Sequence, residues 1–394
     1  MLAITLAFLV SVVSTGWAVG YAGLGARSAF DPKTSGPQTF HARPVPRIGG
    51  AGVFCGLLVA TTLLMGAGDP AARLAALLLV CALPVCVVGL IEDLTQLVSP
   101  RKRLMAAAAS AALAFWLLDA RITDTDIPWL DALVSLAAGS LALTLLAVSG
   151  MTHAVNIIDG FNGLASMCVV IMLAALAIVA FQVGDSGVGM LALIGISAVL
   201  GFFVWNFPRG LVFLGDGGAY LLGFYVAEVA ILLLVRNPQV SPLFPVLVCA
   251  YPIFEMLFSI FRRRVLRARP ACQADGIHLH SLIYRRVTRW APGVPSGAVQ
   301  ARRNSMTSPF LWLLCTFPAV LAVLFQRDTD FIAAGLVLFA LSYTALYWRM
   351  VRFKTPRWLG VLRQRETKRA RTPSQGFARD AVVREARNKF PVKG

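Results

Sequence analysis

Residues 156–183 read NIIDGFNG and then LASMCVVIMLAALAIVAFQV. The second part, residues 164–183, is a run of about 20 residues with no charged side chain, long enough to cross the hydrocarbon core of a bilayer as a helix. The first part holds one acid, two amides and two glycines, and no Lys or Arg. An apolar span entered from a polar turn is the pattern that repeats along the chain. Working outward, apolar runs lie at about 2–24, 48–67, 74–91, 104–118, 133–152, 164–183, 189–205, 219–235, 243–261, 309–325 and 331–348. The expectation is an all-α polytopic integral membrane protein of about eleven transmembrane helices. Residues 2–24 lack a basic segment ahead of them, so they are expected to be the first span and not a cleavable signal peptide.

Composition agrees. Of 394 residues, 58% are hydrophobic and 14% charged, against roughly 45–50% and about 25% in soluble domains. Mean hydropathy is +0.73. These values exclude a disordered or collagenous chain and a nucleic-acid-binding domain with a solvated surface, so nucleic acid is not expected as a partner. The net charge of +17 is instead a statement about loops. With the N-terminus outside, segments 25–47, 92–103, 153–163, 206–218, 262–308 and 349–394 are inside and hold 32 of the 36 Lys and Arg. Outside loops hold only Arg73, Arg121, Arg236 and Arg327. Basic residues concentrate on the cytoplasmic side of membrane proteins, which predicts an outside N-terminus and a cytoplasmic C-terminus. The organisation is therefore a membrane domain over 1–348 and a basic cytoplasmic tail over 349–394. The tail reads as held near anionic headgroups, at roughly 1 kcal/mol per basic residue close to the surface, or as a partner-binding segment. Six of the seven cysteines lie in apolar runs, Cys272 lies in a basic loop, and no pair has zinc-ligand or disulfide-framework spacing.

Unusual polar content falls on the inside loops alone. Glu92 and Asp93 end an apolar run, where adjacent carboxylates are costly unless paired or metal-bound; a solvated pair neutralised by Arg101, Lys102 and Arg103 is the plainer alternative. Asn156, Asp159 and Asn162, with Gly160 and Gly163 between and after them, suit a hard cation or the edge of a nucleoside, or else a tight Asx turn. Asp216, between glycines at the start of a span, marks a helix N-terminus that favours phosphate or metal, or is an N-cap. Arg262, Arg263, Arg264, Arg267 and Arg269 precede His278 and His280, a cradle for anions or an ordinary positive-inside loop. Arg43-Pro44-Val45-Pro46-Arg47 precedes Gly49 and Gly50 in the first inside loop, and no Walker A sequence is present. Hard carboxylates beside arginines on one face suggest Mg²⁺ and a substrate carrying phosphates. The sequence thus points to a membrane enzyme acting on a phosphorylated or diphosphate substrate at the cytoplasmic face.

From Pro44 to about His280, the order of these motifs resembles the polyprenyl-phosphate N-acetylhexosamine-1-phosphate transferase family, which includes phospho-MurNAc-pentapeptide translocase and the initiating GlcNAc-1-phosphate transferases of O-antigen and teichoic acid synthesis. The resemblance implies a reaction in which a polyprenyl (undecaprenyl) phosphate attacks the β-phosphate of a UDP-N-acetylhexosamine, UDP-GlcNAc by default, releasing UMP. It implies catalytic roles for Glu92, Asp93, Asp159 and Asp216, with Mg²⁺, or Mn²⁺ in its place, on Asp216 and Asp93. It assigns substrate binding to Arg43, Arg47, Asn156, Asn162, Arg269, His278 and His280. It implies a bacterial inner-membrane location among membrane lipids, an active site facing the cytoplasm, a role in starting a cell-surface polysaccharide, and leaves room for a homodimer. Glu92 stands where the family usually has Asp, and Glu255 where relatives often carry Asp. The spelling His278-Leu279-His280-Ser281 lacks the translocase's third histidine and favours the initiating branch. Two other readings compete: a transporter of anionic sugars or lipids, for which only Glu228 lies mid-span, and an inactive UDP-sugar- or lipid-binding scaffold, for which only Glu92 speaks.

Overall fold

The structure is a computed structural model and describes residues 1–23, 45–266, 277–286 and 297–352. In chain order the helices are α1 (Leu2–Gly23), α2 (Gly49–Gly66), α3 (Ala72–Thr95), α4 (Pro100–Leu117), α5 (Pro128–Val134), α6 (Ala137–Ile158), α7 (Leu164–Gln182), α8 (Ser186–Asn206), α9 (Gly215–Arg236), α10 (Phe244–Val248), α11 (Ala250–Phe261), α12 (Leu279–Arg286), α13 (Gly297–Leu324) and α14 (Thr329–Val351). A π-helical turn, Arg262–Leu266, continues α11. Among the described residues nine helices are long and apolar enough to cross a membrane: α1, α2, α3, α6, α7, α8, α9, α13 and α14. The protein is all-α and polytopic.

The two other expected runs are helical but built differently. α4 opens with Pro100 and the N-cap Ser99, and then carries Arg101, Lys102 and Arg103 in its first turn, which lowers its hydropathy. The run 243–261 breaks at Cys249 into α10 and α11. Pro252, the third residue of α11, needs no hydrogen-bond acceptor in a first turn. Several expected loops are helix ends. α3 runs on to Thr95, putting Glu92 and Asp93 on its last turn, and α6 runs to Ile158, putting Asn156 on its last turn. α13 begins well before the expected residue 309.

α9 is the axis of the bundle, packed by α2, α3, α6 and α7 and almost wholly buried. Lipid tails are as apolar as leucine, so helices in a bilayer associate through close packing at small residues. Here α3 and α9 meet at Gly89 and Gly217, where a Cβ on Gly89 would lie 2.4 Å from the Gly217 Cα. Gly50 of α2 and Gly218 of α9 make the same approach at 2.3 Å.

Alternating helix ends gather at one end of the bundle. The C-terminal ends of α3 and α6 and the N-terminal ends of α4 and α9 meet through Asp93, Asn156, Arg103 and Asp216. The start of α13 joins them through Asn162, and the last turns of α14 through Glu255. At the opposite end, Asp185 caps α8 and accepts the Arg236 Nε–H at 2.6 Å where α9 finishes.

Candidate active site

The site begins with the unsatisfied N–H groups at the start of α9. Leu214 gives that helix no side-chain cap. Asp93, from the last turn of α3, supplies one: its Oδ1 accepts the Asp216 N–H at 2.7 Å and its Oδ2 the Gly217 N–H at 2.8 Å. A carboxylate at a helix N-terminus also meets the positive end of the helix dipole. Gly215 has φ +79°, and a Cβ there would lie 2.5 Å from the Asp93 Oδ2 and 2.2 Å from the Arg47 carbonyl oxygen. Glycine at 215 is therefore required both for the turn and for the cap.

Asp216, fixed in this way, is gripped from three elements. Its Oδ1 accepts from Arg47 Nη2 and from Asn156 Nδ2, each at 3.2 Å, and its Oδ2 accepts from Arg103 Nη1 at 3.0 Å. Arg47 Nε also lies 3.7 Å from the Asp93 Oδ1. Arg103 donates to the Tyr220 hydroxyl at 3.4 Å and lies 3.7 Å from Glu92 Oε1. Glu92 has a second contact, accepting the Val98 N–H at 2.8 Å. It thereby closes the turn from α3 into α4 and flanks the arginine that holds Asp216.

Asp159 caps the end of α6 beside this group. Burial pushes its carboxyl up to about 7, against the pull of Arg47, with the charges of Asp216 and Asp93 adding to the rise. Among the described residues no group hydrogen-bonds to this carboxylate.

The histidines form a neighbouring layer. Glu255, fully buried on α11, accepts from His278 Nδ1 at 2.9 Å, from the Leu279 N–H at 3.2 Å and from the Tyr343 hydroxyl at 2.8 Å. Because a carboxylate only accepts, the proton of His278 belongs on Nδ1, which leaves Nε2 to accept from Arg263 Nη2 at 3.5 Å. His280 stacks on His278 with ring centroids 5.1 Å apart and meets the edge of Phe161 at 5.3 Å. Its Nε2 would be 3.3 Å from a Cβ on Gly160, so the histidine segment rests on the Asp159 turn. Burial, and after it the adjoining His278, push His280 down to about 3, with Glu255 pulling the other way.

The structure therefore brings Arg47, Glu92, Asp93, Asn156, Asp159 and Asp216 together, with His278 and His280 alongside. Arg43, Arg269 and the tail from residue 353 lie outside the described residues. Asn162 turns away from the carboxylates: its N–H donates to Asn304 Oδ1 at 2.8 Å, and its Nδ2 donates to the Pro208 carbonyl and to Ser305 Oγ.

Sequence reading missed several residues. Arg103 looked like one of three interchangeable basic residues. Asn304, Ser308 and Trp312 of α13 hold the Asn162–Gly163 backbone, Ser308 and Trp312 by donating to carbonyls at 2.6 and 3.0 Å. Tyr343 and Tyr347 of α14 brace Glu255 and Arg262. These lie in an apolar region with no motif, and no spelling marks them.

The donor set suits a hard divalent cation. No cluster of three or more His, Cys, Asp or Glu that could hold a metal occurs among the described residues. Mg²⁺ characteristically takes one or two carboxylates and completes its shell with water and substrate phosphates. The Asp159 carboxylate near Asp216 fits that description, and Arg47 and Arg103, both bonded to Asp216, are of the residue type that pairs with phosphate oxygens.

The glycosyl transferase family 4 pattern matches residues 75–234, a segment containing Glu92, Asp93, Asn156, Asp159, Asn162 and Asp216. The chain is 31% identical over 241 residues to the probable undecaprenyl-phosphate N-acetylglucosaminyl 1-phosphate transferase of Bacillus subtilis, covering 61% of this chain and 66% of that protein. It is 27% identical over 252 residues to the undecaprenyl-phosphate alpha-N-acetylglucosaminyl 1-phosphate transferase of Thermotoga maritima, covering 64% and 72%. It is 29% identical over 184 residues to a phospho-N-acetylmuramoyl-pentapeptide-transferase of Clostridium botulinum, covering 45% and 55%. The chain thus spans between about half and about three quarters of the length of these curated relatives.

Proposed function

Because the chain belongs to glycosyl transferase family 4, we propose that it transfers N-acetylhexosamine-1-phosphate from a UDP-sugar to undecaprenyl phosphate. The products are undecaprenyl-diphosphate-sugar and UMP, and the reaction would begin a cell-surface polysaccharide at the bacterial inner membrane. UDP-GlcNAc is the favoured donor, since two of the similar proteins carry N-acetylglucosaminyl in their names. The observation that carries the reading is Asp216: a carboxylate on a capped helix N-terminus, held by Arg47, Arg103 and Asn156 where helix ends converge. In this reading the chain makes eleven crossings, N-terminus outside and C-terminus cytoplasmic, with the site on the cytoplasmic face.

An oxygen of the lipid phosphate attacks the β-phosphorus of the UDP-sugar. The bond from that phosphorus to the bridging oxygen breaks, and its electron pair leaves on UMP. Mg²⁺ on Asp216, with Asp93 close by and Mn²⁺ as a substitute, would supply electrostatic stabilisation of charge developing on the phosphates. Arg47 and Arg103 turn from Asp216 toward phosphate oxygens, which they bind in bidentate fashion. Asn156 keeps Asp216 oriented, and Asp93 keeps the α9 N-terminus rigid. Glu92 positions Arg103. A second phosphate ionisation near pH 6 leaves the attacking group largely dianionic at pH 7, by analogy with phosphoserine, so a strong base is unnecessary. His278 and His280, on the Asp159 turn, line the sugar-diphosphate side. The test is transfer of β-³²P from labelled UDP-GlcNAc into butanol-extractable lipid by the purified protein. Label in the lipid supports the reading; label that stays in water-soluble products with undecaprenyl phosphate present overturns it.

A further inference from the structure

At the end of the bundle away from Asp216, a cavity of about 460 Å³ lies between the ends of α3, α4, α8 and α9. Arg73, in its wall, and Asp93 sit at opposite ends of α3, a helix of 24 residues and so roughly 36 Å long. The cavity is therefore separate from the charged group around Asp216. In the proposed orientation it faces the outside, where basic residues are disfavoured. Arg73, Arg121, Arg236 and Arg327 are the basic residues of the outside loops, and all but Arg327 come to this cavity. Arg73 and Arg236 line it, and Arg121 pairs at 2.6 Å with Asp119, another lining residue. The second carboxylate of the lining, Asp185, accepts from Arg236 Nε at 2.6 Å and from Asn237 Nδ2 at 3.1 Å. Each acid thus has its own arginine. Arg73 is exposed and makes no ion pair among the described residues, so the group keeps one uncompensated positive charge.

The rest of the lining is apolar. Leu77 lies one helical turn beyond Arg73 on the same face of α3, and Leu117 of α4 is 45% exposed, so the cavity is open where hydrocarbon would be. A soluble anion would use the arginine and gain nothing from the leucines, and an acyl chain alone would leave Arg73 unanswered. An amphiphile whose phosphate is joined to acyl chains uses both. One surplus positive charge matches the single negative charge of a phosphodiester better than the dianion of a phosphate monoester, and a guanidinium fork suits phosphate oxygens. We infer that the α3–α4–α8–α9 cavity seats the headgroup of an anionic diacyl phospholipid of the outer leaflet, of phosphatidylglycerol chemistry. Its phosphodiester sits on Arg73, and its acyl chains pass Leu77 and Leu117 into the bilayer. The leaflet rests on the proposed orientation; nothing in the inference rests on the proposed reaction. A lipid seated there bridges the outer ends of α3 and α9, the helices that carry Asp93 and Asp216 at their other ends.

Ser186, at the start of α8, is exposed on the cavity wall, and Ser186→Cys places a thiol there with little change in size. The experiment is N-ethylmaleimide labelling of the full-length Ser186→Cys protein in phosphatidylcholine nanodiscs. Peptide mass spectrometry reads position 186 apart from the native cysteines. Phosphatidylglycerol is mixed into the disc, or inorganic phosphate is added to the buffer. At about five times its half-saturating fraction, phosphatidylglycerol should leave about one cavity in six open and slow labelling about sixfold. Phosphatidylcholine alone and inorganic phosphate should not slow it. Arg73→Gln in the same background should raise the half-saturating fraction about tenfold, as expected for loss of one hydrogen bond to a charged group, and Arg73→Lys should raise it less. Arg327→Gln removes an exposed outside arginine that does not line the cavity and should leave the fraction unchanged. Labelling that phosphatidylglycerol does not slow would overturn the inference, as would full protection in Arg73→Gln. An equal loss in Arg327→Gln would reduce the effect to diffuse surface charge, and protection by inorganic phosphate would make this a soluble-anion site; either result overturns the lipid assignment. No UDP-sugar enters the experiment, so UMP release from the same preparation judges the proposed reaction separately.

Discussion

In the proposed reaction one carboxylate is central, and its neighbours indicate how it would act. Asp216 is held by two arginines and an amide, and removing its charge while keeping its shape isolates the electrostatic part. Asp216→Asn should lower kcat by about 10²-fold or more, as losses of pre-organised charge do; near-normal turnover at saturating Mg²⁺ would remove it from the site. Glu92 pairs with Arg103 and holds the Val98 N–H, which favours positioning over base catalysis. Glu92→Gln should therefore lower the rate yet preserve the acidic limb of kcat/KM, whereas a general base would lose that limb. Glu92→Asp restores the family's spelling but shortens the reach to Val98, and full activity in both variants would exclude Glu92 from the site. His280 gives a pH prediction. Unfolded, a histidine binds its proton near 6.5; folded, His280 is pushed down to about 3 by burial, with the His278 ring against it and Glu255 and Arg262 as its charged neighbours. Between those values the unfolded chain holds more protons, so stability is lost as pH falls below about 6.5. The thermal midpoint should drop on acidification, and His280→Gln should show a shallower drop; equal slopes would contradict the placement. At this scale the acids were legible because a carboxylate at the end of an apolar run is anomalous by itself. Arg103 was not, because Arg101 and Lys102 beside it look identical in sequence and only the helical phase of α4 selects one of them.

Helices set these residues in place, and their contacts join distant parts of the chain. α13 holds the Asp159–Gly163 turn through Asn304, Ser308 and Trp312, across 142 to 149 residues of sequence. Asn304→Ala leaves the buried Asn162 N–H without its acceptor, at a cost of about 1–3 kcal/mol. The expected result is a lower thermal midpoint together with a lower kcat, measured on the same preparation; an unchanged kcat would mean the turn needs no support from α13. The α3–α9 contact is tested by Gly89→Ala, whose Cβ would press on Gly217. Overpacking of this kind costs about 1–3 kcal/mol, and the displaced Asp93 should weaken the α9 cap and activity with it. Periodicity and length found each of these helices, yet not their ends. The apolar run stops where side chains reach water, whereas the backbone ladder continues as long as caps permit. That is why Glu92, Asp93 and Asn156 belong to helices and not loops. The break at Cys249 lies inside an unbroken apolar run, so hydropathy could not reveal it.

Residues 1–347 form a helix bundle whose alternating helix ends bring Glu92, Asp93, Asp159 and Asp216 to one end, with the Asp185–Arg236 pair at the other. In the proposed orientation, which the charge split of 32 basic residues against four supports, the acid-bearing end faces the cytoplasm. Reporter fusions after Arg73 should read outside, and those after Lys102 or Arg286 inside; an inside signal at Arg73 would overturn this orientation. The class of fold was plain from composition, because 58% hydrophobic residues cannot be hidden in a soluble core of this size. Counting crossings was harder. α4 begins with three basic residues and the 243–261 run is split, so length and hydropathy alone credit nine helices among the described residues. The site's convergence on one face was legible through the one-sidedness of its polar loops, while the contribution of the last two helices was not, since their polar residues are scattered singly in apolar sequence. The central claim is phosphosugar transfer to a lipid phosphate, and the nucleotide product decides it. Purified protein with Mg²⁺, undecaprenyl phosphate and a panel of UDP-N-acetylhexosamines should release UMP from at least one donor, only when the lipid phosphate is present. Release of UDP, or of no nucleotide from any donor while the acceptor is bound, would contradict the account.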